Sequence, residues 1–237
     1  MSRSAAQVLL LPGLDGTGRL FAPLVAALPS SINAKVVTYP PGEALDLQAL
    51  ASLVLRHLPR EKAIVVAESF SGLVVLELLQ SAANRLGGVI FVGAFAEPPR
   101  PFLLRLAPVA SRSPVLLRSV PAFLLRQYCL GREASAAQLN QLREALASVS
   151  PEVLSHRLSL VAARRSFGKS PIEVPCCYIR ALQDRLVPAH CATWFQERFS
   201  HCDLKEIDGP HFLLQTRPRE AAQAIVSFLE RQTAPTL

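Results

Sequence analysis

The chain has 237 residues, enough for one large domain with a full core, and half are hydrophobic against 18% charged, which excludes a disordered protein. No apolar run approaches the ~20 residues that cross a bilayer, and the short stretch Val8 to Leu11 meets a Pro-Gly turn rather than a cleavage site, so a cytoplasmic protein is expected. The net charge of +7 is concentrated between Pro98 and Ser170, where eleven basic residues face three acidic ones; they are scattered singly among leucines (Arg105, Arg112, Arg118, Arg126), a pattern that argues against nucleic-acid binding.

Strands are predicted at 7–11, 35–39, 63–67, 88–93, 174–180 and 203–207, with helices between and after them at 19–28, 46–58, 70–83, 188–199 and 217–231. Such alternation predicts a parallel sheet covered by helices on both faces. The last helix has Pro218 in its first turn and Ala221, Ala224, Ile225 and Phe228 on one face. Residues 98–170 break the rhythm. They hold several prolines and helical stretches near 101–107, 115–127, 135–147 and 151–163, with no strand. An insertion of this length predicts a helical lid, 98–170, over the carboxyl edge of a core formed by 1–97 and 171–237. The leucine and arginine pattern of the lid fits either an amphipathic helix pair packing on the core or an acyl-binding or membrane-contacting surface.

The chemistry centres on residues 63–73, where a β-branched strand runs without a linker into a helix through Ser69. Ala67 and Ser71 lie two residues either side, and Gly72 follows. Small neighbours are what a nucleophile at a sharp strand-to-helix bend requires. A serine hydroxyl is a poor nucleophile at neutral pH and needs a base, which in turn needs an orienting acid. Strand 174–180 leads into a loop carrying Asp184, and strand 203–207 leads into Asp-Gly-Pro-His, ending at His211. Other readings stay open: Ser69 or Asp184 as a helix cap, His211 as a turn histidine, and Glu97, just beyond strand 88–93, as the rival acid. Glu68 either supports the bend by hydrogen bonding or fills a variable slot.

The order Ser69, Asp184, His211, each after its own strand, resembles the α/β-hydrolase family over essentially the whole chain. The loop Pro-Gly-Leu-Asp-Gly-Thr-Gly after the first strand and the Glu-Ser-Phe bend are similar to those of a branch containing plastid phytyl-ester synthases. The resemblance implies a reduced, six-stranded parallel sheet that begins at the family's third strand. It also implies an oxyanion hole from the N–H groups of Leu14 and Phe70. The family often has His-Gly where this chain has Pro12-Gly13, so the loop must be anchored differently. Gly13 and Asp15 in that loop, with Phe102 and Phe123 in the lid, are the candidate substrate-binding residues.

A nucleotide reading of the glycine loop fails on spacing, G-x-x-G-x-G without a following Lys-Ser or Lys-Thr, so no cofactor is expected. Five cysteines, an odd number without C-x-x-C or zinc spacing, read as reduced thiols with no metal site. The expectation is a serine hydrolase for small-molecule esters or thioesters of apolar acyl groups, in contact with an anionic carrier or membrane surface. The alternatives are an acyltransferase passing the acyl group to an alcohol and a catalytically silent ligand-binding relative.

Overall fold

The computed structural model describes residues 6–99, 120–163, 165–168 and 170–233. Six strands, β1 (Ala6–Leu11), β2 (Ile32–Val36), β3 (Ala63–Glu68), β4 (Leu86–Val92), β5 (Cys176–Ala181) and β6 (Cys202–Ile207), form one sheet in the order β2-β1-β3-β4-β5-β6. Every pairing is parallel. β3 is buried at every position, whereas β2 alternates between half-buried and exposed residues. That contrast is the signature of a central strand covered on both faces and an edge strand covered on one.

Side chains alternate between two cores, as the period of two demands. Leu9, Leu11, Val65, Ala67, Val89 and Phe91 face the helices α2 (Leu47–His57) and α3 (Ser71–Ala82) and a later helix, His190–Arg198. Val8, Leu10, Ile64, Val66, Ile90 and Ile179 face α1 (Ala22–Ala27) and the last helix, Pro218–Thr233. Asp46 caps α2 by accepting the Ala49 N–H at 2.8 Å.

Two predicted elements differ in detail. The second strand ends at Val36 rather than reaching Tyr39: Val37 N–H still donates to Leu10, but Tyr39 N–H donates to Gly16 in the loop after β1 at 2.8 Å. Val37 and Tyr39 then bury themselves in the α2–α3 core, and apolarity there reports that burial, not strand. The segment 19–28 divides into a tight turn, Arg19–Phe21, and α1.

The long connection from β4 to β5 contributes α4 (Ala122–Leu125), which widens into a π turn over Arg126–Leu130, then α5 (Ala136–Ala147) and α6 (Pro151–Ala162). Ser135 and Gln138 form a reciprocal capping box on α5, and Ser150 caps α6 with Pro151 at its first position. Leu125, Leu130, Leu139, Leu142 and Ala145 pack with Leu20 and Phe212, which belong to loops after the carboxyl ends of β1 and β6. The connection thus covers the edge where open α/β sheets keep their sites. The predicted helix at 101–107 and the first part of that at 115–127 lie outside the described residues. After this connection come α7 (His190–Arg198), the single turn α8 (Leu213–Thr216) and α9 (Pro218–Thr233). Among the described residues no helix is long and apolar enough to cross a membrane.

Candidate functional site

Ser69 follows the last residue of β3 and precedes the first turn of α3. Its φ of 49° makes it the only described non-glycine residue in the left-handed region. That conformation is costly for a side chain with a Cβ, by about 1–3 kcal/mol, and persists only where surroundings enforce it. Here the Ser69 N–H donates to Val92 at 2.9 Å and its carbonyl accepts the Gly72 N–H at 2.9 Å, fixing the bend from both sides.

The β5 and β6 loops bring two side chains to the same hydroxyl. His211 Nε2 lies 3.1 Å from Ser69 Oγ, and His211 Nδ1 lies 2.7 Å from Asp184 Oδ2. The other Asp184 oxygen accepts the N–H groups of Leu186 and Val187, each at 2.8 Å. The carboxylate is therefore aimed as well as buried. Because a carboxylate only accepts, Nδ1 carries the proton and Nε2 is left to accept from the serine. Burial alone would lower the His211 pKa; the charge and hydrogen bond of Asp184, with the Glu68 charge behind, outweigh it and raise the imidazole above its ordinary value. Such a chain can take the proton off a serine as it attacks a carbonyl. Glu97, the rival acid, is exposed.

Gly93, at the end of β4, escaped the sequence reading. Its φ is +53°, and a Cβ there would lie 3.3 Å from the His211 ring and 3.4 Å from Asp184 Oδ2. A side chain would press on the imidazole from behind. Only spatial proximity, not any local motif, reveals this.

Glu68 supports its surroundings rather than filling a slot. Its buried carboxyl accepts Gln215 Nε2 at 3.0 Å and the Gly13 N–H. Burial pushes its pKa up to about 7; Asp15 adds to the rise, while Gln215, His211 and the Gly13 N–H oppose it. Ser71, read from sequence only as a small neighbour, donates its hydroxyl to the Pro12 carbonyl at 2.5 Å and meets the Tyr39 hydroxyl at 2.5 Å.

Ser69 and His211 open on a cavity of about 350 Å³ with walls from Phe95, Leu125, Leu142, Leu158, Val161 and Val187. Gly13, Leu14, Asp15 and Phe70 border it as well. Among the described residues, no acceptor takes the Leu14 or Phe70 N–H, which leaves both for a ligand. Asp15 touches the cavity, but its buried carboxylate already accepts the Thr17 N–H at 2.9 Å and the Thr17 hydroxyl at 2.5 Å. Phe123 is a correction: it is 67% exposed and absent from the cavity wall, whereas Leu125, two residues on, turns inward. Phe102 lies outside the described residues. A larger cleft of about 670 Å³, bordered by Lys62, Phe167 and Arg198, has no histidine or cysteine among its described lining residues.

A parallel sheet with a serine at a strained strand-to-helix bend after β3, and with an acid and a histidine after the ends of β5 and β6, defines the α/β-hydrolase class. The chain belongs to the alpha/beta hydrolase family, whose model matches residues 8–224. A curated relative, "Putative carbamate hydrolase RutD" of Caulobacter vibrioides, is 27% identical over 94% of this chain and 90% of its own length. Among solved structures, the fold is similar to the enol-lactonase of Burkholderia xenovorans, with TM-score 0.84 and 18% identity over 96% of this chain and 92% of that one. It is also similar to a thermophilic esterase of Thermogutta terrifontis, with TM-score 0.82 and 17% identity over 98% and 92% of the two chains.

Proposed function

We propose that this hydrolase cleaves carboxylic esters or thioesters of apolar acyl groups through an acyl-enzyme on Ser69. The observation that carries the reading is the hydrogen-bonded chain from Ser69 to His211 to Asp184, opening on an apolar cavity. His211 takes the Ser69 proton as the hydroxyl oxygen attacks the carbonyl, and Asp184 holds the imidazole in the required tautomer. The tetrahedral oxyanion accepts from the N–H groups of Leu14 and Phe70, donors typically worth ~3 kcal/mol each because they meet charge that develops only there. His211 then protonates the leaving alcohol or thiol. Water, deprotonated by the same imidazole, attacks the acyl-enzyme, and the acid departs with Ser69 restored.

The wall composition favours an apolar acyl group, and the excess of arginine in the sequence of 98–170 favours an anionic carrier or membrane surface as a partner. In this reading the β4–β5 connection is the lid. None of the five cysteines forms a disulfide, which supports a cytoplasmic location. Labelling with a fluorophosphonate tests the proposal: the wild type is modified at Ser69 and loses esterase activity in step. An active protein that stays unlabelled refutes it.

A further inference from the structure

The loop after β1 starts Pro12-Gly13, so its hold must come from elsewhere in the chain. Its peptide groups show where. Pro12 O accepts from Ser71, and the Gly13 N–H donates to Glu68. Gly13 O accepts the Gly16 N–H at 3.1 Å, closing a turn over Gly13–Gly16, and Gly16 O accepts the Tyr39 N–H at 2.8 Å. The two carbonyls inside the turn have a single donor between them. Arg157 Nη1 reaches Leu14 O at 3.0 Å and Asp15 O at 2.7 Å, while Nη2 reaches Pro40 O at 3.1 Å.

Arg157 lies on α6, more than 140 residues beyond the loop, and is only 2% exposed. Its guanidinium sits over the Tyr39 ring, 5.7 Å from the centroid. A Cβ at Gly16, whose φ is +71°, would come within 2.4 Å of Nη1, so the loop is shaped around this cation. The Leu14 side chain packs with Val149, Val153 and Leu154 at the start of α6. Burying a guanidinium is expensive, and an apolar residue would fill the same space more cheaply. What the planar fork adds is a fixed geometry for carbonyls.

We infer that Arg157 is a positioning residue: it holds the Gly13–Gly16 turn so that the Leu14 N–H points at the oxyanion, making the seating of α6 and the competence of the oxyanion hole one event. The inference rests on the serine-hydrolase reading above. An oxyanion donor displaced by a fraction of an ångström loses most of its effect on the transition state and little on substrate binding.

The test uses the full chain and Arg157→Lys, Arg157→Gln and Arg157→Ala. Active sites are counted by fluorophosphonate at its end point, p-nitrophenyl ester turnover is measured, and an alkyl trifluoromethyl ketone serves as the oxyanion-forming inhibitor. The expected result is a fall in kcat of roughly 100-fold with KM within about threefold. Inhibition by the ketone weakens in the same proportion as kcat, and added guanidinium restores turnover in Arg157→Ala without affecting the wild type. A kcat unchanged in all three variants, or a rise in KM alone, overturns the inference while leaving labelled, active wild type as evidence for the hydrolase. Loss of the folded circular-dichroism signal in all three also overturns it, since Arg157 would then serve the core. An unlabelled wild type with activity overturns the hydrolase reading and this one together.

Discussion

Asp184 divides its two oxygens between aim and charge: one is held by the Leu186 and Val187 amides and the other accepts the hydrogen bond of His211 Nδ1–H. In Asp184→Asn the shape survives, but the amide cannot stabilise an imidazolium and can present an N–H where an acceptor is needed. Turnover is expected to fall by about 10³- to 10⁴-fold, while Glu97→Gln, altering an exposed side chain, leaves it unchanged. The reverse ranking would move the acid to Glu97. The pH profile gives the sign independently. A general base works as the neutral imidazole, and Asp184 raises the His211 pKa, so the acid limb of kcat/KM lies above the ordinary histidine value. Removing the charge in Asp184→Asn moves that limb to lower pH. The placement of Asp184 after a strand was legible from sequence; its priority over Glu97 was not. Both follow strands, and only the folded chain decides which one meets the imidazole.

Between elements, the bend at Ser69 was legible because its requirements are local: a buried strand, small flanking residues and a helix at once. What locks it to the rest of the sheet was not. Ser71 links the first turn of α3 to Pro12 after β1 and to Tyr39 after β2, partners 59 and 32 residues away. No short-range pattern encodes such a link. Ser71→Ala leaves the buried Tyr39 hydroxyl and the Pro12 carbonyl without their shared partner, an expected loss of about 1–3 kcal/mol. Urea denaturation measures it directly. Tyr39→Phe combined with Ser71→Ala should cost less than the sum of the single changes, because the second change removes the group that the first left orphaned. Additive losses would show that the three groups do not act as one link.

Across the whole molecule, the positions of strands and helices along the chain followed from periodicity, since each central strand must be apolar on both faces and each flanking helix on one; the order of the strands in the sheet did not. The wall of the cavity did not follow in the same way. Phe123 and Leu125 are equally apolar in sequence, and the pitch of one short helix decides that Leu125 lines the cavity. The energetic cost of the site is a property of the entire fold, and Glu68 carries much of it. In the folded chain its pKa is about 7 against an ordinary 4.5, so the native state keeps a proton that the unfolded chain has already released. The folded form is therefore favoured below pH 4.5, and that advantage is lost as pH rises through 7. The shift corresponds to about 3 kcal/mol, a large share of the 5–15 kcal/mol that typically separates folded from unfolded domains. Glu68→Gln cannot titrate. Its stability relative to the wild type should accordingly improve by about 3 kcal/mol between pH 4 and pH 8, whatever constant offset the lost hydrogen bond introduces. Urea midpoints measured for both proteins across that range decide the matter, and a difference that stays flat with pH would mean that Glu68 ionises in the folded chain as readily as it does in water.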